Sequence, residues 1–308
     1  MGIFYAGLGI VAAVLLAAYI CFRMTFYSNR KKQTIEQYPL PVGKCYEPYY
    51  DAMRKWMAEV DQMPCRQFEI TSFDGLKLRG RYYENAPGGP IEVMFPGYRG
   101  IAKRDLCGGV QRCAELGHNA LIVDQRGNGE SEGTVITFGV KEYRDCLSWV
   151  EFAAKEFPHN KLILCGISMG ASTVMIASGE KLPDSVIGTL ADCGFTSAKE
   201  IIGKVIRDMK LPPKLVYPFI RLGAKLFGGF DPEEKSAVDA VKNARVPIVF
   251  IHGEDDDFVP CEMSRINYEA CASQKHLAII PGAAHGTSYV VQPEQYLQIL
   301  REFWKDRK

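Results

Sequence analysis

The sequence lacks the short motifs that mark several common ligand sites. It contains no Gly-x-x-x-x-Gly-Lys phosphate loop and no His-Glu-x-x-His zinc helix. None of its ten cysteines belongs to a Cys-x-x-Cys pair, and the glycine-rich turn over 127–133 misses the spacing of a dinucleotide-binding loop by one residue. These absences predict an activity that uses no cofactor and no metal ion.

An excess of charge of either sign is also absent. Lysine and arginine number 37 against 36 aspartates and glutamates, which gives a net charge of +1, so no nucleic-acid partner is predicted. The ten cysteines show no disulfide-like pattern, which is typical of a reducing compartment. Cys146, Cys165 and Cys193 lie in apolar segments, and we expect them to be buried.

What the sequence does contain is a Gly-x-Ser-x-Gly motif at 166–170. An apolar segment typical of a buried strand precedes it, over 161–165, and residues 171–177 can continue as a helix. A serine on a sharp strand-to-helix turn needs small neighbours, because the backbone is strained and closely packed there. The motif therefore predicts that Ser168 is a nucleophile; the alternative is an ordinary Gly-Ser loop.

A serine nucleophile needs a base and an acid, which in hydrolases with this turn follow it along the chain in the order serine, acid, histidine. His252 follows a predicted strand and opens an acidic turn over 254–257, and His285 follows another strand in a loop of small residues. The carboxyl ends of parallel strands meet at one edge of a sheet, where sites of α/β proteins lie. We expect His285 to be the base and His252 to be a packed structural residue. His118, His159 and His276 read as ordinary loop or surface residues.

The stretch His-Gly-x-x-Asp-x-x-Val-Pro at 252–260 resembles the way in which many α/β-hydrolases present the acid of the catalytic triad. The resemblance covers most of residues 67–305 and is closest to membrane-anchored bacterial hydrolases of the esterase and serine-aminopeptidase-like group. It selects Asp256, rather than Asp255 or Asp257, as the acid. The turn over 124–131 resembles the Asp-x-Arg-Gly-x-Gly-x-Ser turn that these enzymes carry upstream of the nucleophile.

The segment over 94–100 resembles the oxyanion loop of the same superfamily. Many members have His-Gly in this loop, whereas this chain has Pro96-Gly97. An oxyanion hole uses backbone N–H groups, so the substitution is compatible with the chemistry. The resemblance implies that Tyr98 and Met169 donate those N–H groups.

Residues 3–22 are uncharged and mostly apolar, long enough to cross a bilayer as a helix. A single-pass membrane anchor is predicted; the alternative is a buried core helix. Arg23, Arg30, Lys31 and Lys32 follow the segment, which predicts a catalytic domain on the cytoplasmic side of the cell membrane. Residues 23–46 are interpreted as a linker, and the apolar spacing over 49–60 predicts an amphipathic helix packed on the catalytic domain.

Residues 47–308 are predicted to form one α/β-hydrolase domain, with a mostly parallel central sheet and helices on both faces. A leading hairpin is predicted over 67–84, then strands at 91–96, 119–124, 161–165, 187–192, 246–251 and 276–281 and helices near 103–117, 139–156, 169–180, 262–272 and 293–305. Apolar residues broken by Pro212-Pro213 and Gly228-Gly229 predict a helical lid over about 195–240 that lines an apolar pocket. The alternative is a segment that only covers the sheet.

Together these features predict a membrane-anchored serine hydrolase that cleaves carboxylic esters through an acyl-enzyme, on a small-molecule or lipid-like acyl substrate. Two alternatives stay open at the level of sequence. One is an aminopeptidase or amidase with the same machinery, which should carry an acidic patch near the lid to hold a free amine. The other is a membrane-anchored binding protein without catalysis, which has no need for Ser168, Asp256 and His285 together.

Overall fold

The structure is a computed structural model that describes residues 2–28, 40–41, 43–305 and 307. Half of the predicted linker over 23–46, residues 29–39 and 42, lies outside these residues. The first helix, α1, runs over Gly2–Thr25 and so ends three residues beyond the predicted anchor.

Eight strands form one sheet, and each lies within two residues of its predicted position. They are β1 (Arg66–Thr71), β2 (Lys77–Tyr83), β3 (Ile91–Phe95), β4 (Asn119–Val123), β5 (Leu162–Ile167), β6 (Val186–Asp192), β7 (Ile248–Gly253) and β8 (Lys275–Ile280). The spatial order is β1-β2-β4-β3-β5-β6-β7-β8. β2 pairs antiparallel with β1 and β4, and all other pairs are parallel, which confirms the predicted mostly parallel sheet.

Eleven further α-helices are present among the described residues. They are α2 (Tyr50–Gln62), α3 (Ala102–Asp105), α4 (Cys107–Leu116), α5 (Glu142–Glu156), α6 (Met169–Ser178), α7 (Ala198–Asp208), α8 (Pro213–Gly223), α9 (Ala237–Ala240), α10 (Glu262–Ala270), α11 (Ser288–Val291) and α12 (Pro293–Trp304). Short 3-10 turns occupy Glu47–Tyr49 and Val241–Asn243, and a π-helical turn occupies Ala224–Gly228.

Two predicted helices differ from the observed ones. The helix expected near 103–117 is divided into α3 and α4, because Leu106 between them has non-helical backbone angles (φ −110°, ψ 5°). The helix expected from residue 139 begins at Glu142, since Phe138 (φ 55°) and Gly139 (φ 97°) have left-handed backbones. The Glu142 carboxylate accepts hydrogen bonds from the backbone amides of Thr137 and Gly139 and so closes the turn that precedes α5.

Helices cover both faces of the sheet, because successive residues of a strand point to opposite sides. In β3, Met94 packs into a core with α2, α4 and α12, whereas Val93 and Phe95 pack into a second core with α5 and α6. Met57 and Val60 of α2 are buried in the first core, as the apolar spacing of that helix predicts. Cys146, Cys165 and Cys193 are buried, as predicted.

Helices α7 and α8 and the π-helical turn form the segment predicted as a lid, inserted between β6 and β7. The last turns of α1 pack directly on this segment: Ala18 and Phe22 are buried, and α1 contacts both α8 and the π-helical turn. Phe22 and Phe26 join Ile201, Ile206 and Ile220 in one apolar cluster. The apolar helix and the segment predicted as a lid are therefore packed as one unit, which the sequence did not indicate.

Candidate active site

Ser168 lies on the turn between β5 and α6 and has a strained backbone (φ 57°, ψ −117°). The flanking glycines are required by close packing. A Cβ at Gly166 would lie 2.2 Å from the backbone of Gly170, and a Cβ at Gly170 would lie 2.0 Å from the carbonyl oxygen of Phe95. The Ser168 amide donates to the Asp192 carbonyl oxygen at 2.8 Å and ties the turn to the end of β6. A strained turn of this kind exposes the serine hydroxyl at the carboxyl edge of the sheet.

His285 lies in the loop after β8, and its ring is placed between the other two predicted catalytic residues. Nε2 is 3.0 Å from Ser168 Oγ, and Nδ1 is 2.7 Å from Asp256 Oδ2. A carboxylate only accepts hydrogen bonds, so Nδ1 carries the proton and Nε2 is left to accept from the serine hydroxyl. This is the tautomer in which the imidazole acts as a base toward Ser168.

Asp256 lies in the loop after β7 and is almost completely buried. Its Oδ1 accepts hydrogen bonds from the backbone amides of Phe258 at 3.0 Å and Val259 at 2.8 Å. Its Oδ2 faces both His285 and His252. Burial by itself would raise the pKa of Asp256, but the hydrogen bonds from His252 and His285 outweigh it and hold the pKa at about 2. The carboxylate is therefore ionised at neutral pH.

His252 is a second histidine on the same carboxylate. Its Nε2 lies 3.1 Å from Asp256 Oδ2 and 2.8 Å from the Val259 carbonyl oxygen, so this nitrogen carries the proton. Its Nδ1 lies 2.6 Å from the hydroxyl of Ser264 on α10. His252 is fully buried and packed, as the sequence predicts, yet it also fixes the acid of the site. The sequence signal for this contact is that His252 lies four residues before Asp256.

The predicted oxyanion loop lies directly beside the nucleophile. A Cβ at Gly97 would lie 3.4 Å from Ser168 Cβ, so the backbone before Tyr98 passes within van der Waals distance of the serine. Met169 is the first residue of α6, where helix amides have no partner inside the helix and attract negative charge. The backbone N–H groups of Tyr98 and Met169 remain our predicted oxyanion donors.

Two polar side chains that the sequence did not single out connect the oxyanion loop to α6. Gln125 Nε2 donates to the Pro96 carbonyl oxygen at 2.6 Å. Thr173 Oγ1 donates to the Met169 carbonyl oxygen at 2.9 Å and lies 3.4 Å from Gln125 Oε1. Both side chains are buried. Gln125 therefore sets the position of the loop relative to the nucleophile.

The walls around the site are aromatic, and one of them reaches the first helix. The ring of Phe258 meets that of His285 at 5.0 Å, and the ring of Tyr98 stacks on Phe138 at 4.9 Å. Phe138 in turn contacts Phe26 at 5.8 Å. The Tyr98 hydroxyl donates to the Thr25 carbonyl oxygen at 2.7 Å. The end of α1 is thus in contact with the residue predicted to supply an oxyanion donor.

Ligand atoms of Cys193, Asp256 and His285 lie within 4.8 Å of one another, a spacing compatible with metal coordination. The chemistry of the group fits a hydrogen-bonded triad better. His285 Nδ1 donates to Asp256, and burial raises the pKa of the Cys193 thiol well above its usual value, so the sulfur stays protonated. We assign no metal to it.

The three remaining histidines are predicted to be ordinary loop or surface residues. His118 lies in the loop directly before β4, but it is buried there, and its Nδ1 lies 2.9 Å from Glu92 Oε1 of β3. Arg112 pairs with the same carboxylate, and the charge of Arg112 together with the hydrogen bond to His118 outweighs burial and holds the pKa of Glu92 at about 2. His159 and His276 are exposed.

Comparison with known proteins agrees with this architecture. The family model described as "Serine aminopeptidase, S33" matches residues 101–213. The esterase Pf2001 of Pyrococcus furiosus superimposes with a TM-score of 0.64 over 87% of this chain and 96% of its own, at 22% identity. The chain has the α/β-hydrolase fold. This confirms the fold class and the superfamily resemblance predicted from the sequence.

Two sequence relatives extend the comparison. Protein YqkD of Bacillus subtilis is 31% identical over 191 residues, which are 61% of this chain and 63% of that protein. The membrane protein YNL320W of Saccharomyces cerevisiae is 29% identical over 195 residues, 61% of each chain. The chain therefore spans just under two thirds of the length of these relatives.

Proposed function

We propose that this chain is a serine hydrolase that cleaves carboxylic esters, with Ser168 as nucleophile, His285 as base and Asp256 as the acid that orients the base. The observation that carries the proposal is the unbroken chain of contacts from Ser168 Oγ to His285 Nε2 (3.0 Å) and from His285 Nδ1 to Asp256 Oδ2 (2.7 Å). The α/β-hydrolase fold supports it, because this fold holds such triads at the carboxyl edge of its sheet.

The reaction follows from the two protonation states of the imidazole. His285 Nε2 takes the proton of Ser168 as Oγ attacks the ester carbonyl, and the ionised Asp256 stabilises the imidazolium. The amides of Tyr98 and Met169 donate to the oxyanion, a stabilisation of about 3–4 kcal/mol per donor. The imidazolium then protonates the leaving alcohol, and a water molecule activated by His285 releases the acid from the acyl-enzyme.

A lipid-like or other small acyl substrate fits the aromatic walls of the site best. The described residues around Ser168 and His285 include the rings of Tyr98, Phe138 and Phe258, with Phe258 partly exposed beside the base. Apolar walls favour an acyl or aryl group over a charged one.

An aminopeptidase or amidase is the second candidate, and the description of the matching family model favours it. A free amine would need carboxylates near the lid. Residues 198–228, from the start of α7 to the end of the π-helical turn, carry seven basic side chains and two acidic ones, Glu200 and Asp208, and Asp208 pairs with Lys204 at 2.6 Å. Asp231 and Glu233, which follow this segment, pair with Arg221 at 2.8 and 3.2 Å. The excess of basic side chains and the pairing of these carboxylates disfavour a cationic substrate, so we propose the ester.

We also propose that α1 anchors the chain in the cell membrane, with the catalytic domain in the cytoplasm. The segment Phe4–Thr25 is long and apolar enough to cross a bilayer, and the yeast relative is described as a membrane protein. A membrane-impermeant maleimide should then modify the exposed Cys45 and Cys65 only after host cells are permeabilised. Modification in intact cells would contradict this orientation.

Turnover of a matched pair of substrates tests the ester assignment. The full chain in detergent should hydrolyse the 4-nitrophenyl ester of a long-chain acid, which releases 4-nitrophenol, much faster than the 4-nitroanilide of an amino acid, which releases 4-nitroaniline. The variant Ser168→Ala should lose both reactions, and the exposed His276→Ala serves as a control that keeps them. Faster turnover of the amide would favour the aminopeptidase, and absence of turnover in the folded wild type would favour a binding protein.

A further inference from the structure

The proposed anchor has too little free length to cross a bilayer alone. Residues 4–13 of α1 are all exposed, but the three following turns pack on the lid through Ala18, Phe22 and their neighbours. Ten helical residues extend about 15 Å, about half of the 30 Å thickness of the hydrocarbon core. For α1 to span a membrane, the hydrocarbon must therefore also surround the turns that are packed on the lid.

The contact between α1 and the lid is too close to be separated by lipid. A Cβ at Gly223, the last residue of α8, would lie 2.3 Å from the Ala18 carbonyl oxygen. Just beyond it, the ring of Phe227 lies 5.2 Å from that of Tyr19 and 6.0 Å from that of Phe22. Where α1 enters the bilayer, α8 and the π-helical turn enter beside it.

The outer surface of the lid is apolar, as a surface that enters the bilayer beside α1 must be. A group of large apolar side chains is exposed there, with Leu215 at 68% and Leu226 at 53%. We name the whole group the lid face: Met209, Leu211, Leu215, Leu226 and Phe227. Phe227 belongs both to this face and to the contact with α1, so the apolar surface continues from the lid onto the helix.

Basic side chains border the lid face. Lys210 and Lys214 are exposed beside its leucines, and Lys225 is also exposed but pairs with Asp231 at 2.8 Å. Lysine stems can cover apolar surface while the ammonium groups reach phosphate headgroups. An apolar face with a basic border is typical of a helix that lies in the interface of an anionic bilayer.

On these grounds we infer that the lid face inserts into the interface of the bilayer beside α1, so that substrate passes from the lipid to Ser168 through the lid. The inference rests on the proposed function, since it takes the anchor as given, and it narrows the substrate to acyl lipids of that bilayer. The contact from Thr25 to the Tyr98 hydroxyl (2.7 Å) brings the membrane surface to the predicted oxyanion loop.

Tryptophan fluorescence of the full chain in lipid vesicles tests this position. The variant Leu215→Trp is reconstituted in vesicles of phosphatidylcholine and phosphatidylglycerol whose acyl chains carry bromine, a fluorescence quencher. The matched control is His159→Trp, an exposed residue in the loop at the amino end of β5, on the edge of the sheet opposite the active site. The unsubstituted chain, with Trp56, Trp149 and Trp304, gives the baseline.

Relative to the unsubstituted chain, the extra fluorescence from the tryptophan at position 215 should be mostly quenched by the brominated lipid. The extra fluorescence from the tryptophan at position 159 should remain. Equal, weak quenching at both positions would overturn the inference about the lid face. If the chain also resists extraction from the vesicles by carbonate, the proposal that α1 is a membrane anchor is unaffected. Loss of the chain from the vesicles would overturn both. Reaction of Ser168 with a fluorophosphonate then shows separately whether the hydrolase proposal stands.

A kinetic measurement addresses the path of the substrate. The double variant Leu215→Glu/Leu226→Glu should raise KM for an ester presented in vesicles about tenfold or more. Its kcat/KM for a soluble short-chain ester should be unchanged, because neither residue touches the triad. The matched control is His159→Glu. An equal loss on both substrates, or on neither, would contradict a path from the bilayer.

Discussion

At the residue scale, the site depends on one buried carboxylate that serves two histidines. Asp256 orients His285 toward Ser168, while His252 and two backbone amides hold Asp256. A carboxylate with this many donors is fixed in one rotamer and stays ionised. The arrangement gives the base a rigid support, which the mechanism requires because the imidazole must not rotate during proton transfer.

The lowered pKa of Asp256 predicts a pH-dependent part of the stability. Because the folded-state pKa of about 2 lies below the ordinary value of 3.8, the charge stabilises the fold above about pH 4 and this stabilisation is lost as pH falls toward 2. The wild type should therefore have a higher free energy of unfolding than Asp256→Asn. This difference between the two proteins should be about 2 kcal/mol larger at pH 6 than near pH 2. Denaturant titration in detergent measures the difference.

A difference between the two proteins that stays constant over this pH range would contradict the ionised, hydrogen-bonded Asp256. The exposed Asp51 provides the control, since Asp51→Asn should leave the pH dependence of the wild type unchanged.

That Ser168, Asp256 and His285 come together could be predicted from sequence, because each stands in a short local pattern at the end of a strand. The contribution of His252 to Asp256 could be suspected only from its spacing, since nothing in the sequence shows which way a ring points. Gln125 could not be found at all. Its partner, the Pro96 carbonyl oxygen, lies 29 residues away and is brought near by the pairing of β3 with β4.

At the element scale, the proposed arrangement of the chain at the membrane depends on the packing of α1 on α8. Hydropathy predicts the length and apolar character of α1, because those are properties of a single segment. The partner of α1 lies about 200 residues further along the chain, and an all-apolar helix gives no periodicity that would reveal a packed face. The lid helices followed from proline and glycine signals, whereas their contact with α1 required the structure.

Gly223 tests that contact, since any side chain at this position meets the backbone of α1. Gly223→Ala should lower the free energy of unfolding of the full chain in detergent by about 1–3 kcal/mol, because its Cβ would lie 2.3 Å from the Ala18 carbonyl oxygen. Gly203→Ala in α7 is the matched control. The nearest atom to its new Cβ is Arg207 Nη1 at 3.7 Å, so helix propensity should make this change neutral or stabilising by up to about 1 kcal/mol.

Thermal unfolding monitored by circular dichroism separates the two variants. Equal melting temperatures for Gly223→Ala and Gly203→Ala would show that α1 is not packed on α8 in the detergent-bound protein.

At the scale of the whole molecule, the carboxyl edge of the sheet, the predicted lid and α1 pack together beside the candidate active site. The mostly parallel pairing follows from the alternation of strands and helices along the chain, and that alternation is readable from sequence, whereas the strand order comes from the structure. The proposed route of a substrate to Ser168 depends on contacts between distant elements. Those contacts connect Thr25 to Tyr98 and Phe26 to Phe138, and no local pattern encodes them.

The central claim is that Ser168 is an activated nucleophile, and reaction of the full chain with a fluorophosphonate probe tests it most directly. The wild type should be labelled, and Ser168→Ala and His285→Ala should not, whereas His276→Ala should be labelled like the wild type. Absence of labelling in the folded wild type, or undiminished labelling of Ser168→Ala, would contradict the account.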